Sequence, residues 1–253
     1  MISILKVYSF ATLLVLWFLL SAVLSPSVVP GPVAVGGAVL ENLRTGEPWT
    51  HISITVLRVT LGLALAMLLG LATGLVMGLS RRGEQFFDSW VMIGLTVPAI
   101  VYGMMCLLWF GLNNFAAVIA IGITAFPAVG INLWQGVKDM DHRLVVVGKV
   151  CRLPRHAIIW KIIVPQLVPY LLASSRYALG ICWKICTTIE LIGLSSGVGF
   201  MLNYWFSLFS MTQVFAWTFM FLVVMLAIEF VLFRPIEKRL TLWRPAAVAS
   251  LRF

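Results

Sequence analysis

Six stretches of this chain carry few or no charges over spans of membrane-crossing length: Val7 to Leu24, Ile54 to Leu79, Trp90 to Gly111, Phe115 to Gln135, Leu171 to Leu194 and Phe215 to Phe233. A hydrocarbon layer about 30 Å thick is crossed by roughly 20 apolar residues of α-helix, so each stretch suffices for one crossing. The runs are continuous rather than alternating, which excludes a transmembrane β-barrel. Of 253 residues, 61% are hydrophobic and only 11% are charged, more apolar side chain than one soluble core accommodates. The expectation is an all-α membrane protein of six transmembrane helices in a single domain over 1–253.

The first run follows Lys6 and resembles the core of a secretory signal, but it exceeds the usual 7–15 apolar residues and no small-x-small site ends it. It reads as a retained first span. Orientation follows from the cations. With both termini cytoplasmic, the inner side holds Lys6, Arg81, Arg82, six cations of the segment 136–170, Arg234, Lys238, Arg239, Arg244 and Arg252. The outer side then holds only Arg44. The net charge of +9 is thereby assigned to lipid headgroups and membrane insertion; no nucleic-acid module is recognisable.

Residues 25–53 form the first extracytoplasmic connection. Pro26, Pro30 and Pro32 open it, and Val35, Val39, Leu40 and Leu43 recur at near-helical spacing before Gly46 and Pro48, predicting a short interfacial helix. Gly62, Ala66, Gly70, Gly74 and Gly78 fall at every fourth position of the second run. Such a ladder lets another helix approach closely, where dispersion replaces the hydrophobic drive that lipid does not supply. Leu112 to Asn114 leave room only for a hairpin, and Pro98 and Pro127 are expected to kink their runs.

Catalytic chemistry is missing from the sequence. No G-x-x-x-x-G-K-[ST] loop occurs, so the chain is not expected to hydrolyse nucleotide itself; were its action ATP-driven, ATP and Mg would be bound by another chain. Cys182 and Cys186 lie one turn apart with no histidine nearby, a packing pattern rather than a metal site. The chain is expected to hold no cofactor of its own.

The longest charged interruption runs over 136–170. Lys138, Arg143, Lys149, Arg152, Arg155 and Lys161 are offset only by Asp139 and Asp141, making it the docking surface on the aqueous side. Four ionisable groups fall inside apolar runs. Arg58 and Glu190 lie at similar depth in opposite-running spans and are expected to be neighbours, in a pathway or in helix packing. Arg176 is close enough to a span end to snorkel. Lys184, two turns deeper, must face protein or water and is the candidate for attracting an anion.

Residues Val146 to Pro169 resemble the cytoplasmic loop of binding-protein-dependent ABC importer permeases, whose E-A-A-x-x-x-G pattern ends in I-x-L-P; here the ending reads Ile162-Ile163-Val164-Pro165. Pro30-Gly31-Pro32, Arg58-Val59-Thr60-Leu61-Gly62, Trp109-Phe110-Gly111, Arg176-Tyr177-Ala178-Leu179-Gly180, Glu190-Leu191-Ile192 and Leu242-Trp243-Arg244-Pro245 extend the resemblance to the sulfonate, taurine and nitrate group. Val146 stands where the pattern has glutamate and Arg152 where it has glycine. The resemblance implies a type I importer permease in a bacterial inner membrane, two ATPase subunits, an extracytoplasmic solute-binding protein and a second permease, with a homodimer favoured over a heterodimer. It also implies a coupling helix with Lys149, Arg152, Pro154, Arg155, His156, Ile159, Trp160 and Lys161 as contacts, Pro154 in its first turn. An ion-coupled secondary transporter is the alternative, which would require intramembrane ionisable groups and often internal repeats.

Overall fold

The run that carries the glycine ladder is helical from Glu47, seven residues before its expected start, because Pro48 falls in the first turn, where its missing N–H costs nothing. In the structure, a computed structural model, residues 4–241 are described; the Leu242-Trp243-Arg244-Pro245 motif and Arg252 lie outside the described residues. Every regular element among them is helical: α1 Ile4–Val23, α2 Pro32–Thr45, α3 Glu47–Leu79, α4 Arg81–Thr96, α5 Ala99–Phe110, α6 Asn114–Lys138, α7 His142–Val150, α8 Arg155–Ile158, α9 Val164–Gly193, α10 Val198–Ser207, α11 Met211–Ile228 and α12 Arg234–Thr241. Single π-helical turns, Ile159–Ile163 and Glu229–Phe233, join α8 to α9 and α11 to α12.

Four described helical stretches are long and apolar enough to cross a membrane: Glu47–Leu79, Asn114–Lys138, Arg155–Gly193 and Met211–Leu240. The expected third span is not one kinked helix. It breaks at Val97-Pro98 into α4 and α5, bent by 96°, and the pair makes a fifth crossing only if counted together. Proline disfavours helix in the residue before it, and Val97 is accordingly extended, at φ −67° and ψ 128°. Pro127, by contrast, sits inside α6 and leaves the helix unbroken. In α1, Leu13, Leu14, Val15, Leu16, Phe18, Leu19 and Leu20 are all exposed, an all-round apolar surface suited to lipid and not to water.

The chain divides into two compact units. The first comprises the residues up to Val56 with Glu190–Leu226. A helix forms within 25–53, α2: Pro32 opens it, and Gly46, at φ 76°, closes it in the left-handed conformation that glycine adopts without strain. Its buried stripe is Val35, Ala38 and Asn42, whereas Leu40 and Leu43 are exposed. Asn42 is buried because its amide donates to Gln213 Oε1 at 2.7 Å, which satisfies a group that would otherwise be stranded. The core of this unit is Ile52, Val198, Met201, Trp217 and Met220.

The second unit comprises Leu57–Ile189 and the residues from Ala227 on. Its centre is α6, whose buried positions are mostly small: Ala116, Ala117, Ala120, Gly122, Ala125, Ala128 and Gly130. The ladder on α3 meets this helix rung by rung. Cβ atoms built on Gly70, Gly74 and Gly78 would lie 2.5 Å from Val129 Cβ, 2.6 Å from the Gly130 carbonyl oxygen and 2.5 Å from Val137 Cβ. The contact is reciprocal, since Gly122 receives Leu65 and Gly130 receives Thr73. Gly94 of α4 in turn makes room for Pro127.

Candidate functional site

The basic segment is a helix, a tight turn and the start of a second helix. Asp141 caps α7, its carboxylate accepting the Arg143 N–H at 2.9 Å, as the short acidic side chain of an N-cap does. The helix ends in a Schellman turn: Leu153 N–H donates to Gly148 O and Arg152 N–H to Lys149 O, both at 3.0 Å. Arg152 occupies the left-handed position of that turn at φ 53°. This gives the expected departure from the glycine pattern a physical meaning, because the position favours glycine and the chain supplies a branched cation. Left-handed backbone costs a non-glycine residue about 1–2 kcal/mol, while glycine's extra unfolded-state freedom returns roughly 0.5–1 kcal/mol. Arg152→Gly is therefore expected to raise stability by a few tenths to about 1 kcal/mol, read as a higher thermal midpoint of the detergent-purified protein.

Pro154 is the N-cap of the following helix and not a residue of its first turn. That helix is also not the short, separate one expected. It runs through the π turn Ile159–Ile163 into α9, a continuous stretch Arg155–Gly193. The separate short helix is α7, upstream. Lys149, Arg152, Pro154, Arg155, His156, Ile159, Trp160 and Lys161 are all exposed, Trp160 at 70%. Leu144, Val146, Val147 and Val150 of α7 are exposed beside them, so the surface is apolar as well as basic. Arg143 and Lys138 are exposed too, and Lys138 is paired: its ammonium lies 2.8 Å from Glu84 Oε1 and 4.0 Å above the Trp134 ring.

Sequence reasoning missed what holds this segment in place. Gln166 accepts the Asp141 N–H at 2.8 Å and donates to Ile162 O at 3.0 Å, and the Tyr170 hydroxyl donates to Asp139 at 3.0 Å. Gly148, buried, lets α7 lie against Ile158 and Ile162. The surface is thus exposed but held, a combination that suits docking. The Gln166 and Tyr170 side chains carry no charge, and nothing in their spacing to Asp139 and Asp141 marks them before the fold is known.

The charges within the spans have different fates. Arg58 is 3% exposed, and both Nε and Nη2 donate to Asn114 Oδ1, at 2.9 and 2.6 Å. Arg176 pairs with Glu229 at 2.5 Å and Glu237 at 3.4 Å. Lys184 is exposed on α9.

Glu190 is fully buried and belongs to a cap built in trans. The first N–H groups of a helix have no partner within it. At the start of α10 these are supplied from elsewhere. Gly197 N–H donates to His51 Nδ1 at 3.1 Å, Val198 N–H to Thr55 Oγ1 at 2.9 Å, and Gly199 N–H to Glu190 Oε2 at 3.0 Å. The Thr55 hydroxyl stands 2.9 Å from each Glu190 oxygen and donates to the carboxylate. Because a backbone N–H only donates, His51 must keep Nδ1 unprotonated in this arrangement. Gly197, at φ 111° and ψ 172°, occupies a region open to glycine almost alone.

These features define a helical membrane subunit that presents a held basic surface and carries no phosphate-binding loop. Residues 62–241 match the family model described as "Binding-protein-dependent transport system inner membrane component", and the chain belongs to that family: it is a multi-pass inner-membrane permease of an ABC importer. It is 33% identical over 237 residues to the putative aliphatic sulfonates transport permease SsuC of Bacillus subtilis (strain 168), covering 92% of this chain and 85% of the relative. It is 26% identical over 250 residues to the taurine transport permease TauC of Escherichia coli (strain K12), covering 94% and 89%. It is 28% identical over 199 residues to the nitrate import permease NrtB of Synechococcus elongatus, covering 75% and 71%. The fold resembles a chain of the inward-facing MetNI methionine ABC transporter, with a TM-score of 0.65 at 14% identity over 78% of this chain and 95% of that one. The expected type I importer permease fold is the one found.

Proposed function

We propose that this permease imports a small organic anion of the alkanesulfonate kind, pairs with a second copy of itself, receives solute from an extracytoplasmic binding protein, and docks two ATPase subunits on the 136–170 segment. Both termini and that segment then face the cytoplasm, and ATP and Mg are bound by the ATPase chains. The observation that carries the reading is the surface running from α7 through the π turn. It exposes an aromatic anchor, cations and a valine face, yet it is tied to α9 by Gln166 and Tyr170. A large aromatic side chain amid a cationic rim is the composition of an interface hot spot. The substrate class draws support from the relatives named for aliphatic sulfonates and taurine.

Because the segment is continuous with α9, a displacement of Trp160 is transmitted along a rigid helix rather than lost in a flexible loop. Purification in mild detergent is expected to bring down an ATPase and no second, sequence-distinct permease. Trp160→Ala should weaken ATPase association by about 2 kcal/mol, roughly thirtyfold, while leaving the permease folded. Retention of the ATPase and of uptake in that variant would overturn the docking assignment. Uptake that survives ATP depletion but collapses with the ion gradient would transfer the chain to the secondary transporters.

A further inference from the structure

One face of α9 is left uncovered in the middle of a span, and that face carries a charge. Ala173, Tyr177, Gly180 and Lys184 follow at intervals of four, three and four, so they form one stripe along the helix. Ala173, Tyr177 and Lys184 are exposed, Tyr177 at 61%, and a Cβ added at Gly180 would meet nothing within 4 Å. Lys184 lies nine residues before the end of α9, about 14 Å at 1.5 Å per residue, too far for its ammonium to reach headgroups by extension alone. No hydrogen bond or ion pair is formed by that ammonium among the described residues. The other span cations are bound, Arg58 by Asn114 and Arg176 by Glu229 and Glu237. The Thr187 and Thr188 hydroxyls next to Lys184 are turned back to its own carbonyl oxygen, at 3.0 and 2.8 Å, and do not serve the ammonium.

A bare ammonium at this depth is not stable against lipid. The stripe therefore faces water or a complementary anion. We infer that Lys184 and Tyr177 line the solute path and recognise its cargo, Lys184 binding the anionic head of an alkanesulfonate and Tyr177 packing on its hydrocarbon tail, with a second copy of the chain closing the path. This rests on the importer reading above. The two side chains are seven residues apart on one face, about 10 Å along the axis, a spacing matched to an anion with an apolar tail rather than to a compact ion. Gly180, between them, keeps the wall open where the cargo would lie.

The test uses the whole transporter, permease with its ATPase and binding protein, in vesicles, with labelled methanesulfonate and hexanesulfonate as probes. Lys184→Gln is expected to lower ATP-driven uptake of both probes at least about tenfold, an effect of about 1.4 kcal/mol. Binding-protein-stimulated ATP hydrolysis should persist, and Lys184→Arg should restore most of the uptake. Tyr177→Ala should lower hexanesulfonate uptake several-fold more than methanesulfonate uptake. Wild-type uptake of both probes at an undiminished rate by Lys184→Gln would overturn this assignment alone. So would failure of Lys184→Gln to assemble, which would mark the lysine as a packing residue. Wild-type vesicles that move neither probe on ATP would overturn the importer reading and this assignment with it.

Discussion

Gly197→Ala is expected to unfold the α10 cap and abolish the assembled protein. Two costs act together. The backbone at φ 111° and ψ 172° is nearly closed to any residue with a Cβ, a strain of about 1–3 kcal/mol. The added methyl would also lie inside the Glu190 carboxylate, against its Cδ and both oxygens. Moving that carboxylate breaks its bonds to Gly199 N–H and Thr55, each a hydrogen bond to a charged group that contributes about 1.5–3 kcal/mol. The sum is comparable to the whole stability of a typical domain. Membrane yield and the thermal midpoint in detergent are the readouts. Gly180→Ala is the control, since nothing lies within 4 Å of its added methyl, and it should match the wild type in both. A Gly197→Ala protein as stable as that control would show that Glu190 does not hold α10 in this way.

This cap shows where the sequence ran out. Glu190 stands out as an acid in an apolar run, and its importance could be read directly. Its bond to Thr55 and its part in capping α10 could not, because Thr55 is 135 residues away and His51 is 146 residues from Gly197. A histidine, a threonine and two glycines at those separations have no local signature. The same limit applies to Gln166 and Tyr170 beneath the basic surface. Local features were legible: the α2 helix between Pro32 and Gly46, the short turn before α6, and the cations left exposed from Lys149 to Lys161. Pro98 was correctly read as a disruption, but its size was not readable. A proline sets a bend by removing a backbone hydrogen bond and closing the helical region to the residue before it, while the two halves pack on different neighbours, including Gly94 on Pro127 and Gly103 on Ile189, where the 96° is read.

The glycine ladder separates legibility of a face from legibility of its partner, and it yields the second large effect. Gly74→Ala should be strongly destabilising and beyond rescue, whereas Gly78→Ala should be rescuable. Alanine gains about 1 kcal/mol of helix propensity over glycine at either site. Overpacking costs about 1–3 kcal/mol, so the clash prevails. At Gly78 the three atoms nearest the added Cβ are Cβ, Cγ1 and Cγ2 of Val137, at 2.5, 2.7 and 3.0 Å, and Val137→Gly removes all three. At Gly74 it meets the Gly130 carbonyl oxygen at 2.6 Å, which no side-chain change can withdraw, as well as Leu133 Cβ at 2.9 Å. The double variant Gly78→Ala/Val137→Gly, which moves the glycine of that rung from α3 to α6, is therefore expected to recover part of the lost thermal stability, and Gly74→Ala/Leu133→Gly little of it, because the Gly130 carbonyl oxygen stays in place. Gly74→Leu, larger still, should leave no folded protein in the membrane. Equal rescue at the two rungs would mean that α3 and α6 can slide apart at Gly74. The backbone of α6 would then not be the surface against which the ladder is fitted.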